Sequence, residues 1–113
     1  MYSETKRNPL LVAYFLRQHQ NDDFECERPD SEAFHTDERT SAKVGKTHFV
    51  NTGFDRGHMA QNSAIATRFG CDAHMETFLM SNMAPQLPGL NQINWGGYET
   101  IVDHTYADKF EGI

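Results

Sequence analysis

Only one stretch of this 113-residue chain is continuously apolar: Leu10-Leu11-Val12-Ala13-Tyr14-Phe15-Leu16. It is far shorter than the ~18–20 residues of a membrane-spanning helix, and its composition suits a strand. The run therefore predicts a buried strand over 10–16. Residues 18–46 are polar and punctuated by Asn21-Asp22-Asp23, Arg28-Pro29-Asp30-Ser31 and Gly45. They read as a long loop with room for one helical turn, and loops of that length are commonly functional or mobile. Thr47-His48-Phe49-Val50-Asn51-Thr52 predicts a second strand. A short helix is expected over 71–76 and a strand over 77–82. Pro85, Pro88 and Gly89 then call for a loop. A helix follows from about Gln92 to about Lys109, with Trp95, Tyr98, Ile101, Val102 and Tyr106 as its apolar stripe.

The length allows one domain, residues 1–113. Ten basic and sixteen acidic residues give a net charge of −6, with hydrophobic residues at 38% and charged residues at 23%. These values fit a globular chain and exclude a disordered one. The acidic balance argues against holding nucleic acid by bulk positive charge. It leaves open contact with phosphate through a metal ion and a few arginines. The first residues, Met1-Tyr2-Ser3-Glu4-Thr5-Lys6-Arg7, lack the apolar stretch of a secretory leader, which suggests a cytosolic chain or a longer precursor. The two cysteines, Cys26 and Cys71, permit one disulfide without requiring it, and there is no CxxC pair. His19, His35, His48, His74 and His104 show no metal-ligand spacing. The acidic run Asp22, Asp23, Glu25 and Glu27 reads as a solvated loop.

Three segments carry groups suited to phosphodiester chemistry. They are Gly53-Phe54-Asp55-Arg56-Gly57-His58-Met59-Ala60, Phe78-Leu79-Met80-Ser81-Asn82-Met83-Ala84-Pro85-Gln86, and Leu90-Asn91-Gln92-Ile93-Asn94-Trp95 with Glu99 following. Hydrolysis needs a base for water, and histidine titrates near neutrality. It needs a cation for the developing charge, and a hard Mg²⁺ takes oxygen ligands. It needs the phosphate held, and the planar guanidinium of arginine does that.

Together, and in this order, the segments resemble the DNA/RNA non-specific endonuclease family, and the resemblance runs from about Tyr2 to about Tyr106. The early Asn8-Pro9-Leu10-Leu11-Val12-Ala13-Tyr14 is similar to a strand of the same family. The resemblance implies an α+β fold with a ββα-metal (His-Me finger) core at about 47–109, in a domain incomplete relative to the full family domain. It implies His58 as general base, with Asp55 and Arg56 as polar groups beside it. It implies Asn82 as a residue shaping the catalytic site, Asn91 as the direct ligand of Mg²⁺ (with Mn²⁺ as a substitute), and Glu99 as the carboxylate holding a metal-bound water. Arg28, ahead of Phe34-His35-Thr36-Asp37, is the candidate phosphate-binding arginine, with Arg39 as competitor. The implied substrates are DNA and RNA, met through backbone phosphates, which carry no direct sequence information. No membrane partner is expected, and secreted, periplasmic or organellar settings are implied. Asp103 departs from the pattern by standing where an arginine is common, which predicts a weaker or rearranged phosphate contact there. The alternative is a catalytically silent or truncated nuclease-like domain acting as a nucleic-acid or protein interaction module.

Overall fold

The computed structural model describes all 113 residues. Near the N-terminus, β1 (Tyr2–Ser3) pairs antiparallel with β2 (Asn8–Pro9). Residues 10–46 run largely without regular structure, apart from one 3₁₀ turn at Ser31–Ala33. β3 (Asp55–His58) leads into α1 (Asn62–Phe69) and α2 (Cys71–Glu76). β4 (Met83–Gln86) then returns antiparallel to β3, setting Asp55 opposite Gln86 and His58 opposite Met83. A last helix, α3 (residues 88–109), closes the chain. No helix is long and apolar enough to cross a membrane.

Local chemistry accounts for these elements. A Cβ on Gly57 would overlap the Gln86 side chain, so only glycine lets Gln86 lie across the hairpin. Gly70, at φ +92°, ends α1 in a left-handed conformation, with its N–H donating to Ala66 O at 3.1 Å. Asp72 sits in the first turn of α2, where the helix dipole favours an acid. Pro88 occupies the first turn of α3, where its missing N–H costs nothing.

Two small cores hold the elements together. Leu16, Ala64 and Ala107 pack with Val102, while Val44, Met80 and Met83 pack with Phe34, Ala42 and Phe49. Arg68 joins the first core to the surrounding polar groups. Its fully buried guanidinium pairs with Asp103 at 2.5 Å, and its Nε donates to Arg17 O at 2.6 Å. The disulfide Cys26–Cys71 ties the long loop to the start of α2.

Several expectations are corrected. Residues 10–16 form no strand. Leu10, Leu11 and Phe15 are exposed, and only Leu16 is buried, where it exchanges backbone hydrogen bonds with Ile113 at 2.7 and 2.8 Å. A strand needs a neighbour to receive its backbone groups, and an apolar run alone supplies none. Residues 47–52 hold a 3₁₀ turn, Lys46–Phe49, in place of the second strand. The strand expected at 77–82 lies instead at Met83–Gln86, preceded by a 3₁₀ turn at Met80–Asn82. α3 starts before Gln92, and its apolar stripe is buried only in part, with Val102 against the first core and Trp95 half-buried. Tyr98, Ile101 and Tyr106 are exposed, while Asp103 and Ala107 face inward. The helix 71–76 and the long loop stand as expected, as does the α+β class.

Candidate active site

The site is assembled where the end of β3, the start of α1, the long loop and the first half of α3 meet. Arg28, Arg56, His58, Asn62, Asn91 and Glu99 line one cavity of about 300 Å³. Arg28, Arg56 and Asn91 also line an adjoining cavity of about 410 Å³, whose other wall holds Lys46, Phe49 and Phe54.

His58 closes β3 with its ring edge-on to Phe78, the centroids 5.2 Å apart, and 5.8 Å from Phe34. Burial in this aromatic setting, with smaller contributions from Arg28, His74 and Arg56, pushes its pKa from 6.5 down to about 4. The imidazole is therefore neutral at pH 7. Its Nε2 is buried and has no hydrogen-bond partner within the protein. A neutral imidazole with a free acceptor nitrogen can take a proton from water.

Asn91 sits in the first turn of α3, and its Nδ2 donates to Asp55 Oδ2 at 3.0 Å. Gln92 Nε2 donates to the same oxygen at 2.7 Å. These bonds hold the Asp55 carboxyl below the usual range, Asn91 contributing most. They also fix the Asn91 amide so that its Oδ1 remains the uncommitted acceptor. A hard divalent cation seeks such an oxygen. The Glu99 carboxylate supplies another in the same cavity, and burial raises its pKa while the Trp95 indole and Arg28 partly offset that. The donor set thus fits Mg²⁺ or Mn²⁺. Asp55 acts on Asn91 across the hairpin, not on the base.

Arg56 stacks over Phe34, its guanidinium carbon 4.0 Å from the ring centroid. Arg28 reaches the same wall from the long loop, two residues after the disulfide at Cys26. Arg39 does not join them. It forms a two-pronged pair with Asp37 at 2.8 and 2.9 Å, away from His58. Asn82 stays outside the cavity and braces it from behind. Its Oδ1 accepts from Ala60 N–H at 2.8 Å, and its Nδ2 donates to Ala60 O at 3.1 Å and Thr77 O at 2.9 Å. Asp103 is turned into the protein against Arg68, so no carboxylate from that position enters the cavity.

Sequence reasoning misses Asn62. The residue is only 8% exposed and lines the cavity, and its buried Nδ2 has no partner. The only sequence signal is its place four residues after His58, at the start of an unforeseen helix.

Residues 1–112 match the family model for the DNA/RNA non-specific endonuclease. The chain belongs to the DNA/RNA non-specific endonuclease family. Relatives within and beside the family include the human mitochondrial endonuclease G, 33% identical over 102 residues, which cover 87% of this chain and 32% of that protein. A Nostoc nuclease is 42% identical over 57 residues, half of this chain and 20% of its own length. The solved EndoG/EndoGI complex contains a chain that matches with a TM-score of 0.76 and 28% identity, covering 98% of this chain and 45% of that one. The matched part of the chain thus spans 20–32% of the length of these curated relatives. Its β3–β4 hairpin followed by α3 is the ββα unit of the family fold.

Proposed function

We propose that this chain carries the hydrolytic site of a metal-dependent endonuclease acting on DNA and RNA without base selectivity. The observation that carries the reading is the cavity shared by neutral His58, the fixed amide of Asn91, Glu99 and two arginines. The His58 imidazole takes the proton from the attacking water. Its low pKa keeps it in the accepting form at neutral pH. Arg28 and Arg56 hold the phosphate, with Lys46 in the adjoining cavity meeting the next stretch of backbone. All of these contacts are to phosphate, which favours cleavage with little sequence preference. Asn62 lines the same cavity from the α1 side. Asn91 Oδ1 would hold Mg²⁺ directly, and Glu99 would hold one of its waters. The ion supplies stabilisation of negative charge on the phosphate and leaving oxygen.

The test is degradation of plasmid and of RNA with Mg²⁺ or with EDTA, by the wild-type chain and by His58→Ala. Mg²⁺-dependent cleavage of both substrates is expected, with His58→Ala slower by roughly a hundred- to ten-thousandfold. Equal rates in the two proteins would remove His58 from the role of base. An inert wild-type chain would favour the interaction-module reading.

A further inference from the structure

The last turns of α3 hold a second group of ligating side chains that the hydrolytic site does not use. His19 enters it from the segment after Leu16, with its Nε2 3.7 Å from Asp103 Oδ1. His104 Nε2 lies 3.6 Å from Asp103 Oδ2. Both separations are too long for hydrogen bonds. They are close to what a bound ion imposes: with zinc–ligand bonds of about 2.0–2.2 Å in a tetrahedral site, neighbouring donor atoms stand roughly 3.4 Å apart. The three donor atoms all lie within 4.8 Å of one another.

Two further features point to a ligand. His19 Nε2 is buried and has no hydrogen-bond partner. Its Nδ1 lies 3.2 Å from both oxygens of Asp108, and the tautomer that donates from Nδ1 to this carboxylate carries its lone pair on Nε2. A carboxylate behind a histidine is the usual outer shell of a metal-bound imidazole. Asp103 is 1% exposed and carries the remaining donor. Arg68 binds its Oδ1 and lies 3.2 Å from His19 Nδ1, so this cation weakens the site without filling it. Oδ2 stays directed toward His104. The imidazoles now stack 4.8 Å apart, and His104, being exposed, is free to turn its lone pair to the shared point and to leave one position open to water.

We propose that His19, Asp103 and His104 form a second metal site, for Zn²⁺ or a similar transition ion, that ties the segment after Leu16 to α3. Two imidazoles and one carboxylate suit zinc, cobalt or nickel and do not suit Mg²⁺. The site is thus chemically separate from the oxygen donors Asn91 and Glu99.

The test needs no nuclease activity. The whole chain, stripped with EDTA and dialysed, is titrated with Zn²⁺ by calorimetry and with Co²⁺ by visible absorption, in excess Mg²⁺. Visible Co²⁺ bands displaced by Zn²⁺ are expected, and they should persist in His58→Ala. Asp108→Asn should weaken binding roughly ten- to hundredfold. His104→Gln, at an exposed position that leaves the fold intact, should abolish the bands. Absence of binding, binding unchanged in His104→Gln, or binding lost in His58→Ala would each overturn the proposal.

Discussion

At the scale of single residues, this chain places neutrality and charge where hydrolysis would need them. His58 is kept neutral chiefly by the Phe78 and Phe34 rings that desolvate it. That has a measurable consequence for stability. Its pKa is 6.5 when unfolded and about 4 when folded, so the unfolded chain binds the extra proton between those values. Stability is intact above pH 6.5 and falls as the pH drops toward 4, by roughly 3 kcal/mol from this group. Denaturant melts of wild type and His58→Gln at pH 7 and pH 4.5 should show a smaller acid loss in the variant. Asp55 makes a second case. Asp55→Ala frees the Asn91 and Gln92 amides, so Asn91 Oδ1 is no longer fixed. The Mg²⁺ concentration for half-maximal cleavage should rise roughly ten- to hundredfold, with the His58-dependent pH profile unchanged.

At the scale of elements, the β3–β4 hairpin is the support on which the site rests. Gly57 admits Gln86, and Asn82 clamps residues 59–60 just past His58. Asn82→Ala removes three hydrogen bonds and leaves Ala60 and Thr77 groups unmatched. Destabilisation of roughly 2–3 kcal/mol is expected in urea melts. Because the loosened strand carries His58, kcat should fall more than KM rises. α3 plays a comparable part, with Asn91 and Glu99 toward the cavity and Asp103 toward Arg68. The inward turn of Asp103 explains how an acid stands where the family often has an arginine. Its charge is matched by a fully buried guanidinium from α1 and never meets the substrate side.

At the scale of the whole molecule, small cores leave much of the cohesion to polar ties and to one covalent link. The disulfide closes a span of 45 residues, which the chain-entropy account values at roughly 4 kcal/mol. Cys26 is two residues from Arg28, so the same bond anchors the loop that brings this arginine to the cavity. Reduction, or the Cys26→Ser and Cys71→Ser pair, should lower the melting temperature. It should also raise KM for nucleic acid more than it lowers kcat. A thermal melt and steady-state kinetics with and without reductant measure both. The net charge of −6 is no obstacle at this scale, because Arg28 and Arg56 gather their positive charge along two adjoining cavities, while Lys46 is paired with Glu32.

The sequence by itself determined the family and most of the residues that meet in the cavity. Asp55, Arg56, His58, Asn91 and Glu99 fall in short ordered segments, because chemistry that needs particular side chains fixes their identity and local spacing. It also determined the short helix at 71–76 and the long helix near the C-terminus, whose periodicity is local. Only the tertiary structure placed Arg28 at the cavity and paired Arg39 with Asp37, since both depend on packing. It alone joined Cys26 to Cys71, turned Asp103 to Arg68 and brought Asn62 to His58. It also left the apolar run at 10–15 largely in solvent. A residue's hydrophobicity states its preference for burial, but whether a partner stands against it is set by contacts between distant parts of the chain.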